Sequence, residues 1–198
     1  MAMKTAGIAK DTRWKLLMQS LYYPAVLGTC FVLLLNKLII YRSIMTVLAD
    51  VTVYAGLLLT FYFTISYLIN NEVEAGVYGA GAFTIDLIEI VLIFLAFSAL
   101  GYLDPQRPDA VHLHRYYSYI AAIPILEQLW NRFAGIRNAK LWWVAGCASG
   151  LSIFGAIAAY YKPQWTIVNE LLLLMFFLLI ILYLLVLMTV KRHKSHGV

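Results

Sequence analysis

The chain has 198 residues, of which 63% are hydrophobic and only 13% charged. Soluble globular proteins carry about 25% charged residues, and a water-facing surface with so few would aggregate, so the composition leaves little room for a soluble domain and calls for hydrocarbon as solvent. The net charge of +5 does not point to nucleic acid, because the basic residues flank apolar segments, where they set topology and attract anionic head groups.

Cys30 and Cys147 both fall inside apolar segments, without CxxC spacing or a His cluster. They read as small buried hydrophobes, with no disulfide framework and no metal site. The N-terminal stretch MAMKTAGIAKDTRWK is basic and lacks the apolar core of a cleaved signal. The expected organisation is one integral membrane domain over 1–198, with a short cytoplasmic segment at 1–15 and a tail at 191–198.

A membrane-crossing helix needs roughly 20 mostly apolar residues. Leu17–Ile40 comes first and is flawed by Pro24, Asn36 and Lys37. Ser43–Ile69 follows, rich in Leu, Tyr, Phe and Thr, and then Tyr78–Tyr102, which contains IVLIFLAFSAL. His114–Phe133 is ambiguous: it holds Arg115, Pro124, Glu127, Gln128 and Arg132, and reads equally as a buried span or an interfacial amphipathic helix. Leu141–Tyr160 is rich in small residues, and Thr166–Val190 is apolar on every face. The fold class is therefore all-α: a polytopic helical bundle with four clear spans plus one or two further membrane or interfacial helices. Trp14, Trp130, Trp142, Trp143, Tyr160, Tyr161 and Trp165 mark expected membrane–water boundaries.

Topology follows the bias of Lys and Arg. Six crossings with the N-terminus inside leave Lys37, Arg42, Arg107, Arg115 and Lys162 outside and the other ten basic residues inside. Four crossings, with Leu17–Ile40 and His114–Phe133 kept on the cytoplasmic side, leave only Lys162 outside. Charge favours four and apolar length favours more. Both arrangements place both termini in the cytoplasm.

An ionised side chain at the bilayer centre costs about 2.5–3.5 kcal/mol, so intramembrane carboxylates are the first candidates for function. Asp86 and Glu89 are three residues apart and share a helix face. Their mutual repulsion would be relieved by a shared proton, a bound cation or a basic partner on another helix. Asp50 belongs to a stripe with Thr46, Tyr54, Thr60, Thr64 and Tyr67, readable as an aqueous path or as interhelical hydrogen bonding. Glu127 becomes a third buried carboxylate if its segment spans. Asn169 and Glu170 begin the last helix, where a carboxylate suits the helix dipole. Gly146, Ser149 and Gly150 form a small-residue face suited to close helix packing and to self-association.

Enzyme signatures are missing: there is no HEXXH, Walker or GxGxxG pattern, and His112, His114, His193 and His196 fall in loops or the tail. No cofactor is expected. The leading expectation is a small homo-oligomer, embedded in the lipid bilayer, that moves a cation or proton along Asp50, Asp86, Glu89 and Glu127. The rival is a non-transporting sensor, anchor or assembly subunit. Its basic segments around His114–Lys140 and the tail KRHKSH would bind a cytoplasmic protein or anionic lipid.

Overall fold

The structure, a computed structural model, describes residues 14–40, 45, 50–71, 78–103, 111–133, 139–162 and 166–195. These form six helices: α1 (Trp14–Ile40), α2 (Val51–Asn71), α3 (Ala80–Ala99), α4 (Leu113–Phe133), α5 (Ala139–Tyr161) and α6 (Thr166–Ser195). Among the described residues there is no strand beyond one isolated bridge between Leu100 and Val111. Thr46, Pro163, Trp165, His196, residues 1–13 and most of the connecting segments lie outside the described residues.

Four helices are long and apolar enough to cross a membrane: Trp14–Ile40, Val51–Leu68, Ala80–Ala99 and Ala139–Tyr161. The first was the flawed segment of the sequence; Pro24 and Lys37 are accommodated, while Asn36 lies exposed on the outer face. Before Pro24, which lacks an N–H, the helix widens into a π turn at Met18–Tyr22, and Tyr23 N–H donates to Met18 O. Lys37 is turned inward, 3.9 Å from Asp50 and 5.2 Å from the centre of the Tyr102 ring. The sequence counts Thr166–Val190 among the clear spans, but the apolar run within α6 among the described residues, Val168–Tyr183, is shorter than in those four.

α2 begins at Val51, not at Ser43 where the apolar run suggests. Asp50 Oδ1 accepts from Thr52 N and Thr52 Oγ1, both at 2.7 Å, and so satisfies the first turn of the helix. α3 ends where Gly101 takes φ 75°, a left-handed conformation costly for other residues. Tyr102 N–H reaches Phe97 O and Gly101 N–H reaches Ser98 O, which closes the helix with a Schellman pattern. That turn sends Tyr102 back inside, where its hydroxyl donates to Thr52 O at 3.0 Å.

The ambiguous segment is α4, and it is the central helix, packed most extensively against α5 and α3. It runs antiparallel to both. Phe133, at its end, meets Gly81 at the start of α3, and Tyr117, near its start, meets Gly155 late in α5. α2 and α6 run parallel to α4. Tyr116 and Tyr117 donate to Ala55 O and Asn169 O, while Tyr183 meets Gln128 and Asn131 a few turns on. α1 runs with α3, from the Trp14–Phe83 contact at one end to Lys37 over Tyr102 at the other. Successive helices thus alternate in direction. Trp14, Tyr78, Trp130 and Tyr183 mark one end of the bundle, and Asp50, Tyr102, His114 and Tyr160 the other. Trp142, Trp143, Tyr160 and Tyr161 are exposed at the two ends of α5, whereas Trp130 is buried at its end of the bundle.

α5 approaches α4 through a row of buried small residues: Ala145, Ala148, Ser149, Ser152, Gly155 and Ala159. Ser149 Oγ donates to Ala121 O at 2.7 Å, in the turn that Pro124 disturbs. Gly146 and Gly150 lie on the opposite, outer face with nothing near them. The close approach within the chain is therefore made by Gly155, where an added Cβ would sit 2.9 Å from the Tyr117 ring.

Gly155→Val should lower stability by about 1–3 kcal/mol through overpacking, whereas Gly146→Val should leave it within about 1 kcal/mol; equilibrium unfolding of the purified protein checks both. Alternating directions also imply that Leu103 and Lys162 emerge on one side of a membrane and Lys140 on the other. Cysteines placed singly at these positions, with Cys30 and Cys147 replaced by alanine, should react with an impermeant reagent in that pattern. Opposite sidedness of Leu103 and Lys162 would restore the four-crossing arrangement.

Candidate functional site

The three-residue spacing of Asp86 and Glu89 on α3 directs both carboxylates inward, and α4 brings Glu127 to them. The three are 1%, 3% and 4% exposed. The charged groups acting on Glu89 are Glu127 and Asp86, so three acids from two adjacent helices share one buried region. Among the described residues no Lys or Arg forms an ion pair with Asp86 or Glu89. Lys37 pairs with Asp50 at the opposite end of the bundle.

Tyrosines surround the acids. The Tyr78 hydroxyl donates to Asp86 Oδ2. The Tyr23 hydroxyl and Trp130 Nε1 face the same carboxyl, with Nε1 short of hydrogen-bond geometry. Asp86 Oδ1 and Glu89 Oε1 are buried without a hydrogen bond among the described residues. On the α4 side, Tyr183 from α6 donates to Glu127 Oε1 at 3.3 Å and accepts from Gln128 at 3.2 Å and Asn131 at 2.6 Å. The Tyr62 hydroxyl from α2 faces both Glu89 and Glu127. Tyrosine hydroxyls both donate and accept, so these rings can pass a hydrogen bond between acids.

Glu127 also lines a cavity of about 80 Å³ between α2, α4, α5 and α6. Its walls are mostly apolar, with Leu58, Ile120, Ile123, Ala148 and Phe176 among them. Tyr62, Ser66, Glu127 and Tyr183 supply the polar groups at the end nearer the acids.

The other sequence candidates are placed elsewhere. Asp50 caps α2 at the far end of the bundle and does not join the acid cluster. Thr60 and Thr64 donate to Gly56 O and Thr60 O on their own helix, so this part of the stripe is occupied by local bonding. Asn169 is buried near the start of α6, and Glu170 is on its outer face, beside a groove with Tyr54 and Phe177. His112 and His114 have ring centres 5.8 Å apart, and the described residues contain no group of three His, Cys, Asp or Glu suited to a metal ion. The inward face of His114–Phe133 is buried, while Arg115 and Arg132 on the same helix are exposed. Tyr62, Tyr78 and Tyr183 were missed by sequence reasoning, although each lies on a helix or at a helix start beside the acids.

The architecture defines a multi-pass α-helical membrane protein. Comparison with known proteins returns no matching family model, no matching curated protein and no matching solved structure.

If no basic group depends on Asp86 or Glu89, Asp86→Asn and Glu89→Gln should each fall well short of the roughly 3–5 kcal/mol lost when a buried ion pair is broken. Tyr78→Phe should cost about 1–3 kcal/mol, because it leaves the buried Asp86 with one donor fewer. Unfolding equilibria in mild detergent measure all three.

Proposed function

We propose that this protein moves protons across a membrane, with Asp86, Glu89 and Glu127 as the groups that bind them. The observation that carries the reading is a set of three buried carboxylates, two of which have no ion pair with a basic residue among the described residues. Such groups are costly in hydrocarbon and are retained where their charge is used. A proton relieves the repulsion without the multidentate geometry a metal ion needs, which the described residues do not provide. Asp86 and Tyr78 lie nearest the Trp14 end, Glu89 is about one turn deeper, and Tyr62 and Tyr183 connect toward Glu127 and the cavity.

The Trp14 end faces the cytoplasm in this reading, because ten of the fifteen basic residues then lie inside when all six helices cross. The outward Gly146–Gly150 face of α5 is the natural contact between copies in a homo-oligomer.

Proton flux into vesicles containing the purified protein tests the proposal. Asp86→Asn and Glu89→Gln should reduce flux to near that of empty vesicles while the protein stays folded. Asp50→Ala should keep the flux and lose about 0.5–2 kcal/mol of stability through loss of its helix cap. Wild-type flux no greater than that of empty vesicles would overturn the reading.

A further inference from the structure

We infer that the cavity between α2, α4, α5 and α6 binds a small alkylammonium ion, with its charge on Glu127 and its short apolar body against Ile120, Ile123 and Phe176. The volume of about 80 Å³ is far below the roughly 300–1,000 Å³ of pockets for drug-sized molecules and above the roughly 10–15 Å³ a single water needs. It suits a ligand of a few heavy atoms. Water finds few partners along apolar walls, so an alkyl group fills them better. The polar end has a single sign of charge. Among the described lining residues Glu127 is the only carboxylate, and no Lys or Arg is among them. The Tyr62 hydroxyl, which also lines the cavity, is buried and makes no hydrogen bond among the described residues. It is available to accept from an ammonium N–H. The ring of Tyr183, whose hydroxyl reaches Glu127, borders the same polar end and favours a cation over a neutral head. Among the described residues, titratable groups facing Glu127 include Glu89 on α3, Tyr62 on α2 and Tyr183 on α6, and α5 contributes Val144, Ala145 and Ala148 to the cavity. The inference rests on the proton reading for one step only: an ammonium ion and a proton exchange on the same carboxylate.

Binding of n-butylammonium, n-butanol and butyrate to the protein in lipid nanodiscs, corrected by empty nanodiscs, tests the site. Butylammonium should saturate, bind about tenfold or more tightly than butanol, as expected for a charge-assisted hydrogen bond, and exclude butyrate. Glu127→Gln should erase the preference for the ammonium over the alcohol. Val144→Phe fills the cavity from a half-buried position with Glu127 intact, and should remove binding of both. Butylammonium that does not saturate, binds no better than butanol, or is unaffected by Val144→Phe would overturn the site. If Glu127→Gln fails to fold, the ligand order on the wild type and the Val144→Phe result decide. Proton flux measured without any ammonium separates the two readings. Flux with no saturable binding sinks the cavity site alone, and saturable binding with no flux sinks the proton reading alone.

Discussion

The constraint on which this architecture depends is the solvation of α4. A helix with Pro124, Glu127, Gln128 and Asn131 on its buried side would expose several unpaired polar groups to hydrocarbon, each at a cost of several kcal/mol. It is placed instead where other helices provide its partners. α5 comes close because its facing row is small, and Ser149 then reaches the backbone of α4. α2 and α6 close the remaining sides through tyrosines, which span the gap with a ring and end in a hydrogen-bonding group. Tyr116 and Tyr117 reach backbone carbonyls of α2 and α6, and Tyr183 gathers Glu127, Gln128 and Asn131. The same enclosure that solvates α4 brings Glu127 to Glu89, so the packing solution and the acid cluster have one origin.

Much of this was legible in the sequence. Apolar length located the helices, and three-residue spacing put Asp86 and Glu89 on one face. What could not be read was which polar helix faces which. Glu127 has no periodic signature of burial because its helix carries both polar and apolar residues on the inward side. The three site tyrosines come from separate parts of the chain, and only tertiary contact unites them. Two signals were present but outweighed. Asp50 followed at two residues by Thr52 is a helix-start pattern hidden inside a long apolar run. The row Ala145, Ala148, Ser149, Ser152, Gly155 and Ala159 has helical spacing and marks the face that packs within the chain, opposite the Gly146–Gly150 pair.

The count of basic residues also has a physical limit. Lys37 entered that count as a free charge that opposes translocation. In the fold its ammonium lies within 3.9 Å of Asp50 and over the Tyr102 ring, and the side chain is largely buried. A compensated charge of this kind contributes less to orientation than an exposed one. Removing it from the tally weakens the case for holding α1 out of the membrane, in agreement with the helix directions.

The turn between α3 and α4 bears on how such a chain enters a bilayer during synthesis. His112 N–H donates to Ala99 O at 2.6 Å, and Leu100 pairs with Val111, so the two feet of the 104–110 connection are stapled together. α4 is too polar to partition on its own, whereas α3 is among the most apolar segments of the chain. Joined at their feet and packed along their length, the two form a helical hairpin whose apolar member offsets the cost of the polar one. The unit that hydrocarbon meets is thus the pair rather than the single helix, with the polar side of α4 covered by α3 and α5.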